Sequence, residues 1–99
     1  MRLSISQNAK ADIDEIWRYI ATETSIQAAN RVRDSLSRCF NLLRRNPFAG
    51  KSREDDLIPG LRSISSGKYI VFYRAEAGMV RIVRVLHGMR DLPAILREE

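Results

Sequence analysis

The chain has 99 residues, of which 44% are hydrophobic, and it carries a formal net charge of +5 with a sequence pI of about 10.0. This length and composition exclude a disordered chain and a catalytic domain joined to a regulatory one, so we predict a single domain over residues 1–99. The charge is spread evenly along the sequence, which excludes a basic tail for nucleic acid. An acidic protein, RNA and DNA all remain possible partners.

No segment has the apolar length of a signal peptide or of a membrane-spanning helix, so we expect a cytoplasmic protein that does not bind membranes. The single cysteine, Cys39, excludes an internal disulfide. It falls in the apolar stripe of a predicted helix, which favours a buried, unreactive thiol. One histidine and one cysteine offer no metal-ligand spacing, and no glycine-rich phosphate loop occurs, so we predict neither a metal nor a cofactor.

Residues 2–6 alternate polar and apolar side chains, which predicts a strand with Leu3 and Ile5 on one face. Asn8 is then a candidate N-cap for a helix from Ala9 to about residue 22. Its apolar stripe comprises Ala9, Ile13, Ile16, Trp17 and Ile20, and its polar side Lys10, Asp12, Asp14, Glu15 and Arg18. We interpret Trp17 as a core residue, and Tyr19 as an exposed interface anchor.

Ser25 can cap a second helix, which ends at Asn46 because the residue before a proline disfavours helical dihedral angles. Its apolar stripe comprises Ala29, Val32, Leu36, Cys39, Phe40 and Leu43. Two amphipathic helices joined by a short link predict an antiparallel hairpin that needs a third surface to cover its apolar side. Residues 47–56 read as a loop.

Three strands are predicted at residues 61–65, 69–74 and 80–87, and glycine-containing links of hairpin length join them. They predict an antiparallel meander whose middle strand is central because it is apolar on both faces. Residues 91–96 can form a short terminal helix. The predicted fold class is therefore α+β, with the order β-α-α-β-β-β and the helix hairpin packed on one face of an antiparallel sheet. The other face, or the groove beside the helices, is left for function.

His87 ends the third strand, and with Arg62 and Arg90 it could move a proton at a phosphate, as in a metal-free ribonuclease. The alternative is a strand-end histidine with local hydrogen bonds. Several arginines lie on or beside the sheet, either as a cationic surface for carboxylates and phosphates or as solvated strand positions: Arg62, Arg74, Arg81, Arg84 and Arg90. Arg84 interrupts an apolar face, which predicts a specific partner for it.

Six segments in chain order, 11–21, 28–29, 43–53, 60–63, 67–74 and 82–91, resemble the ParE branch of the ParE/RelE toxin superfamily. The first reads Ala-Asp-Ile-Asp-Glu-Ile-Trp-Arg-Tyr-Ile-Ala, and the last ends in His-Gly-Met-Arg-Asp. The resemblance implies the growth-inhibiting toxin of a type II toxin–antitoxin system, bound in a hetero-oligomer by a ParD-like antitoxin. DNA would then be reached only through the antitoxin. The ParE branch is associated with poisoning of DNA gyrase without chemistry of its own.

The RelE branch instead cleaves mRNA in the ribosome, and Arg62 and Arg90 are similar to two of its cations. Residues 90–96 hold no tyrosine, the loop lysines are reduced to Lys51, and His87 precedes the glycine. These departures favour a gyrase-binding inhibitor over an enzyme. The alternatives are a ribosome-dependent mRNA endonuclease using Arg62, Arg90 and His87, or an inactive toxin fold that binds only its antitoxin.

The resemblance also guides the predicted binding residues. We expect an antitoxin segment, acidic where it touches this basic chain, in an apolar groove beside the hairpin. The predicted antitoxin-binding residues are Leu36, Phe40, Leu43, Phe48, Arg74 and Arg84. The predicted target-binding residues are Arg62, Arg90 and Tyr19.

Overall fold

The computed structural model describes residues 1–55, 57–88 and 92–96. In chain order the elements are β1 (Arg2–Ile5), α1 (Gln7–Glu23), α2 (Ile26–Arg45), β2 (Lys51–Ser52), β3 (Arg62–Ser66), β4 (Tyr69–Glu76), β5 (Met79–His87) and α3 (Leu92–Leu96). The predicted α+β class and the order β-α-α-β-β-β are confirmed, with one addition. The two-residue strand β2 lies in the segment predicted as loop, because two residues are too few to show an alternating pattern.

The five strands form one sheet in the order β1-β5-β4-β3-β2, so β4 is central as predicted. Strands β3, β4 and β5 form the expected antiparallel meander. The sheet as a whole is mixed, because β1, whose pairing direction was not predicted, pairs in parallel with β5, Leu3 lying opposite Val80. A strand that is not joined to its neighbour by a tight turn is free to pair in either direction, and here the intervening chain includes the helix hairpin.

Serine side chains set the starts of both long helices. Ser6 Oγ accepts a hydrogen bond from the Ala9 amide at 3.0 Å and donates one to the Val83 carbonyl at 2.8 Å. It therefore caps α1 one residue before Gln7, and the prediction of Asn8 as the cap is wrong. The predicted cap at Ser25 is confirmed, because its Oγ accepts from the Ala28 amide at 3.0 Å.

Trp17 joins the two helices of the hairpin. Its indole N–H donates to Asn30 Oδ1 at 3.0 Å, and Arg33 donates to the same oxygen at 2.9 Å. The Arg33 guanidinium also lies 5.7 Å from the centre of the Trp17 ring. Trp17 is thus half-buried between the helices rather than in the main core, which corrects our interpretation of it.

The sheet carries an apolar cluster on each face. The front cluster packs the hairpin against the sheet and comprises Ala9, Leu36, Phe40, Leu43, Val71, Tyr73, Val80, Ile82 and Val85. The back cluster comprises Leu61, Phe72, Val83, Leu86 and Leu96, with Leu57, Ile58, Ile70 and Ile95 packed against it. The back face was predicted to be available for function. It is covered instead, by residues 57–61 and by α3.

Cys39 is half-buried and packs against the front cluster. Burial raises the pKa of its thiol above the usual value. The group therefore stays protonated at neutral pH, and a protonated thiol is a poor nucleophile.

Tyr73 holds the segment before β2, residues 46–50, to the sheet. Its hydroxyl donates to the Pro47 carbonyl at 2.8 Å and accepts from the Gly50 amide at 2.9 Å. A Cβ atom on Gly50 would lie 2.6 Å from both the Ser63 carbonyl oxygen and the Tyr73 hydroxyl. Only glycine fits this close approach of two backbone segments.

Replacing Gly50 with alanine should therefore destabilise the fold by about 2 kcal/mol, because the new methyl group displaces backbone and breaks the Tyr73 bonds. Urea unfolding followed by far-UV circular dichroism measures the change. Gly88→Ala is the matched control, since its Cβ would make an ordinary contact 3.5 Å from Ile70. Equal midpoints for the two variants would contradict this account.

Candidate binding groove

A groove with a volume of about 980 Å³ lies between the helix hairpin and one end of the sheet. Its walls come from the second half of α1, the first half of α2, the β3–β4 turn and the end of β5. The apolar lining comprises Ile16, Tyr19, Ile20, Ala28, Val32, Tyr69, Val85 and Leu86. The groove exists because the apolar stripes continue towards the link between the helices. Ile16 contacts the front cluster, whereas Ile20 lies one turn further along α1.

Tyr69 and His87 face the groove from neighbouring strands. They are directly paired between β4 and β5, and their rings meet edge to face with centres 5.7 Å apart. Burial raises the pKa of the Tyr69 phenol, and the nearby Tyr19 raises that pKa further. The Tyr69 hydroxyl is therefore protonated at neutral pH and can both donate and accept a hydrogen bond.

Charges of opposite sign line the two sides of the groove. Glu15 and Glu23 stand on α1, whereas Arg31 stands on α2 and Lys68 in the β3–β4 turn. All four are exposed. A ligand that carries only acidic groups would meet repulsion from the α1 side. The groove therefore matches a partner with both signs of charge, which refines our expectation of an acidic one.

Asp12 lies at the inner end of the groove and binds Arg84 of β5. Its carboxylate accepts from Arg84 Nε at 2.7 Å, from Arg84 Nη2 at 2.9 Å and from the Val85 amide at 3.0 Å. The two side chains are 7% and 14% exposed. The specific partner predicted for Arg84 is thus confirmed, but the placement of Asp12 on a solvated helix side is wrong. Asp12 faces β5 instead.

A bulge in β5 lies beside this ion pair. The pairing with β4 steps from Phe72 opposite Arg84 to Tyr73 opposite Ile82, so Val83 has no partner on β4. An extra residue in one strand changes the direction of the side chains next to it. At the bulge, consecutive residues of β5 belong to different clusters: Ile82 to the front cluster and Val83 to the back cluster.

The predicted antitoxin-binding residues do not line the groove. Leu36, Phe40 and Leu43 are 2%, 5% and 0% exposed and form the core under α2. Arg84 is held by Asp12, and Arg74 donates to the Pro59 carbonyl at 2.9 Å. Phe48 is 66% exposed but lies in the segment before β2. Of the residues that do line the groove, Ile20 and Val32 could be recognised from the apolar stripes of the helices. Tyr69 and His87 could not, because the pairing of β4 with β5 brings them to the groove.

Tyr19 and Arg62, two of the predicted target-binding residues, lie on different parts of the protein. Tyr19 is 65% exposed on the rim of the groove. Arg62 donates to the Gly50 carbonyl at 2.6 Å and to the Phe48 carbonyl at 3.2 Å, and its guanidinium lies 5.2 Å from the centre of the Phe48 ring. Arg90 lies outside the described residues.

Arg62 and His87, two members of the predicted nuclease group, are not brought together. Arg62 pairs with Tyr73 near the middle of β4, from one side, and His87 pairs with Tyr69 at the start of β4, from the other side. Four residues of strand separate these positions by about 13 Å along the sheet. The Arg62 guanidinium also reaches the segment before β2, on the side of β3 away from β4. The two side chains therefore do not converge on one phosphate.

A solved protein structure shares this architecture. A solved structure of the chromosomal ParDE toxin–antitoxin system from P. aeruginosa superimposes with a TM-score of 0.76, at 19% sequence identity, over 88% of this chain and 95% of that one. The sequence model of the ParE toxin of the type II toxin–antitoxin system parDE matches residues 3–92. The chain belongs to the ParE toxin family, and the resemblance noted in the sequence is confirmed.

Relatives of similar length share this assignment. Toxin ParE1 of Caulobacter vibrioides is 34% identical over 92 residues, 93% of this chain and 94% of the relative. Toxin ParE1 of Mycobacterium tuberculosis is 30% identical over 92 residues, and Toxin ParE3 of C. vibrioides is 30% identical over 95 residues. Among the described residues, no helix has the length and hydrophobicity needed to cross a membrane.

Replacing Asp12 with alanine should cost about 3 kcal/mol of folding free energy, since it leaves a poorly hydrated guanidinium and the Val85 amide without their acceptor. Asp14→Ala, on the exposed side of the same helix, should change stability by less than about 0.5 kcal/mol. Urea unfolding compares the two variants. Because the loss comes from removing a carboxylate that offsets a buried positive charge, the double variant D12L/R84M should recover part of it. Equal effects of the two single alanine variants would refute the role of the ion pair.

Proposed function

We propose that this toxin is neutralised by a ParD-like antitoxin, the partner of the same parDE pair, whose amphipathic segment binds in the groove between the hairpin and the sheet. The groove itself carries this proposal. Apolar side chains of α1, α2 and the sheet come together there without being covered by the described residues, and an uncovered apolar concavity is a common protein interaction site.

The lining indicates how such a segment would bind. A helix laid into the groove would place apolar residues at helical spacing against Ile16, Ile20 and Val32. Its basic side chains would face Glu15 and Glu23, and its acidic ones would face Arg31 and Lys68. The Tyr69 hydroxyl could bind a backbone or side-chain group of the segment. This charge arrangement fixes the direction in which the segment lies.

Tyr19 and Phe48 test the position of the antitoxin, because both are exposed aromatic residues, at 65% and 66%. Tyr19→Ala should weaken binding of the ParD-like antitoxin about 30-fold, as expected for loss of an aromatic anchor worth about 2 kcal/mol. Phe48→Ala should leave the affinity unchanged, since Phe48 lies outside the groove. Isothermal titration calorimetry measures both. The reverse pattern would place the antitoxin on the segment before β2.

We further propose that the target is DNA gyrase in the cytoplasm, which the toxin poisons by binding alone. Membership of the ParE family supports this, and so does the separation of Arg62 from His87, which weakens the endonuclease alternative. Tyr19 and Arg62 stay as candidate target contacts. An antitoxin in the groove would cover Tyr19, so that neutralisation would follow from direct occlusion of a target contact.

Induction of the chain alone in bacteria tests the target. Thymidine incorporation should stop first while leucine incorporation continues, and His87→Ala should keep the full effect because no proton transfer is involved. An immediate collapse of leucine incorporation would identify translation as the target and make Arg62 and His87 catalytic candidates. Continued growth with both incorporations unchanged would leave antitoxin binding as the function.

A further inference from the structure

A row of three arginines runs along the exposed side of α2. Arg31, Arg38 and Arg45 are seven residues apart and are all exposed. A seven-residue step in an α-helix advances about 10.5 Å and turns the side chain by only about 20°. The three side chains therefore stand on one face and span about 21 Å.

This arginine row is not used to hold the fold together. Arg38 donates to Ser35 Oγ at 3.1 Å, and within the described part of the chain none of the three arginines forms an ion pair. The other arginines of α2 differ, since Arg33 binds Asn30 and Trp17, and Arg44 contacts Met1. The cationic groups of the row are thus available to an external partner.

The residues around the row indicate the chemistry of that partner. Gln27 lies one turn before the row, and Ser35 and Asn41 stand between its arginines on this side of α2, together with a single acid, Asp34. Arginine with serine, asparagine and glutamine is the set that contacts nucleic-acid phosphates. The row has no aromatic residue, which disfavours stacking on single-stranded bases, and Leu42, 40% exposed, is its one large apolar residue. A protein interface would have more apolar anchors.

We propose that this face of α2 binds the phosphate backbone of double-stranded DNA. The contact is electrostatic and independent of base sequence, since these side chains contact phosphates and do not reach the base edges. One continuous helix holds the three arginines in line, and arginine forms bidentate bonds with phosphate oxygens. The family resemblance implies DNA contact only through the antitoxin, so the proposal adds a direct contact made by the toxin.

The arginine row is compatible with a filled groove. Arg31 stands on the groove rim, but Arg38 and Arg45 lie one and two heptads further along α2 and do not line the groove. An antitoxin bound there would leave at least these two arginines exposed. The proposal therefore does not depend on the proposed antitoxin site.

The test is fluorescence anisotropy of the full chain with a 20-base-pair duplex of arbitrary sequence, from 50 to 200 mM salt. The variant R31Q/R38Q/R45Q should bind more weakly, and the slope of log affinity against log salt should become shallower by about 2.7, or 0.9 for each lost phosphate contact. The control R2Q/R18Q/R81Q removes three exposed arginines from other elements and lowers the net charge equally. This control variant should keep most of the salt dependence of duplex binding seen with the unmodified chain. Circular dichroism verifies that both variants fold.

Three results would overturn the proposal. Equal losses in the two triple variants would show that binding follows net charge alone. Tighter binding to single-stranded than to double-stranded DNA would exclude a duplex site. Absence of duplex binding, together with binding of poly-glutamate that is lost in R31Q/R38Q/R45Q, would assign the arginine row to an acidic protein.

Discussion

The bond from Asp12 to Arg84 and to the Val85 amide fixes how the helix hairpin sits on the sheet. It joins residues 72 and 73 positions apart in sequence, and one carboxylate satisfies both donors. Apolar packing of α1 against the sheet is tolerant of small shifts, whereas a bidentate arginine–carboxylate pair with a backbone amide has one good geometry. The position of α1 relative to β5, and with it the width of the groove, depends on this bond.

The same bond explains why the groove stays open at its outer end. The hairpin is anchored at Asp12, near the middle of the sheet, and α1 then continues for eleven residues to Glu23. Beyond the anchor, β4 begins at Tyr69 and β5 ends at His87, and the turn at Lys68 closes the far wall. No described element fills this space. An uncovered apolar concavity of this kind is a common protein interaction site, so the geometry agrees with membership of a family whose members occur in toxin–antitoxin pairs.

Much of the fold follows from local patterns in the sequence. The apolar stripes of the two helices, the capping Ser25 and the glycine-containing turns of the meander all act over a few residues, so they could be recognised. The parallel pairing of β1 and the two-residue strand β2 could not, because strand partners are chosen by the whole sheet. Asp12 shows the same limit. A charged residue in a helix is normally solvated, and its burial here is explained only by an arginine 72 residues away.

The candidate site was predicted less well than the fold, for a related reason. Leu36, Phe40 and Leu43 belong to the apolar stripe of α2, but a stripe does not tell which of its members are covered by the sheet. The covered ones lie at the second half of α2, whereas the groove uses Ala28 and Val32 in the first half. The pairing of Tyr69 with His87 required the register of β4 and β5, which depends on the turn between them and on the bulge at Val83.

The parallel pairing of β1 with β5 affects when the protein can fold during its synthesis on the ribosome. Leu3 of β1 pairs with Val80 of β5, 77 residues further along the chain, so the sheet is completed only when β5 has left the exit tunnel. Contacts between residues so distant in sequence form late and slow the folding of a chain. The residues of the helix hairpin are therefore made well before those of β5, and the groove, whose lining includes Val85 and His87, can form only after β5 has emerged.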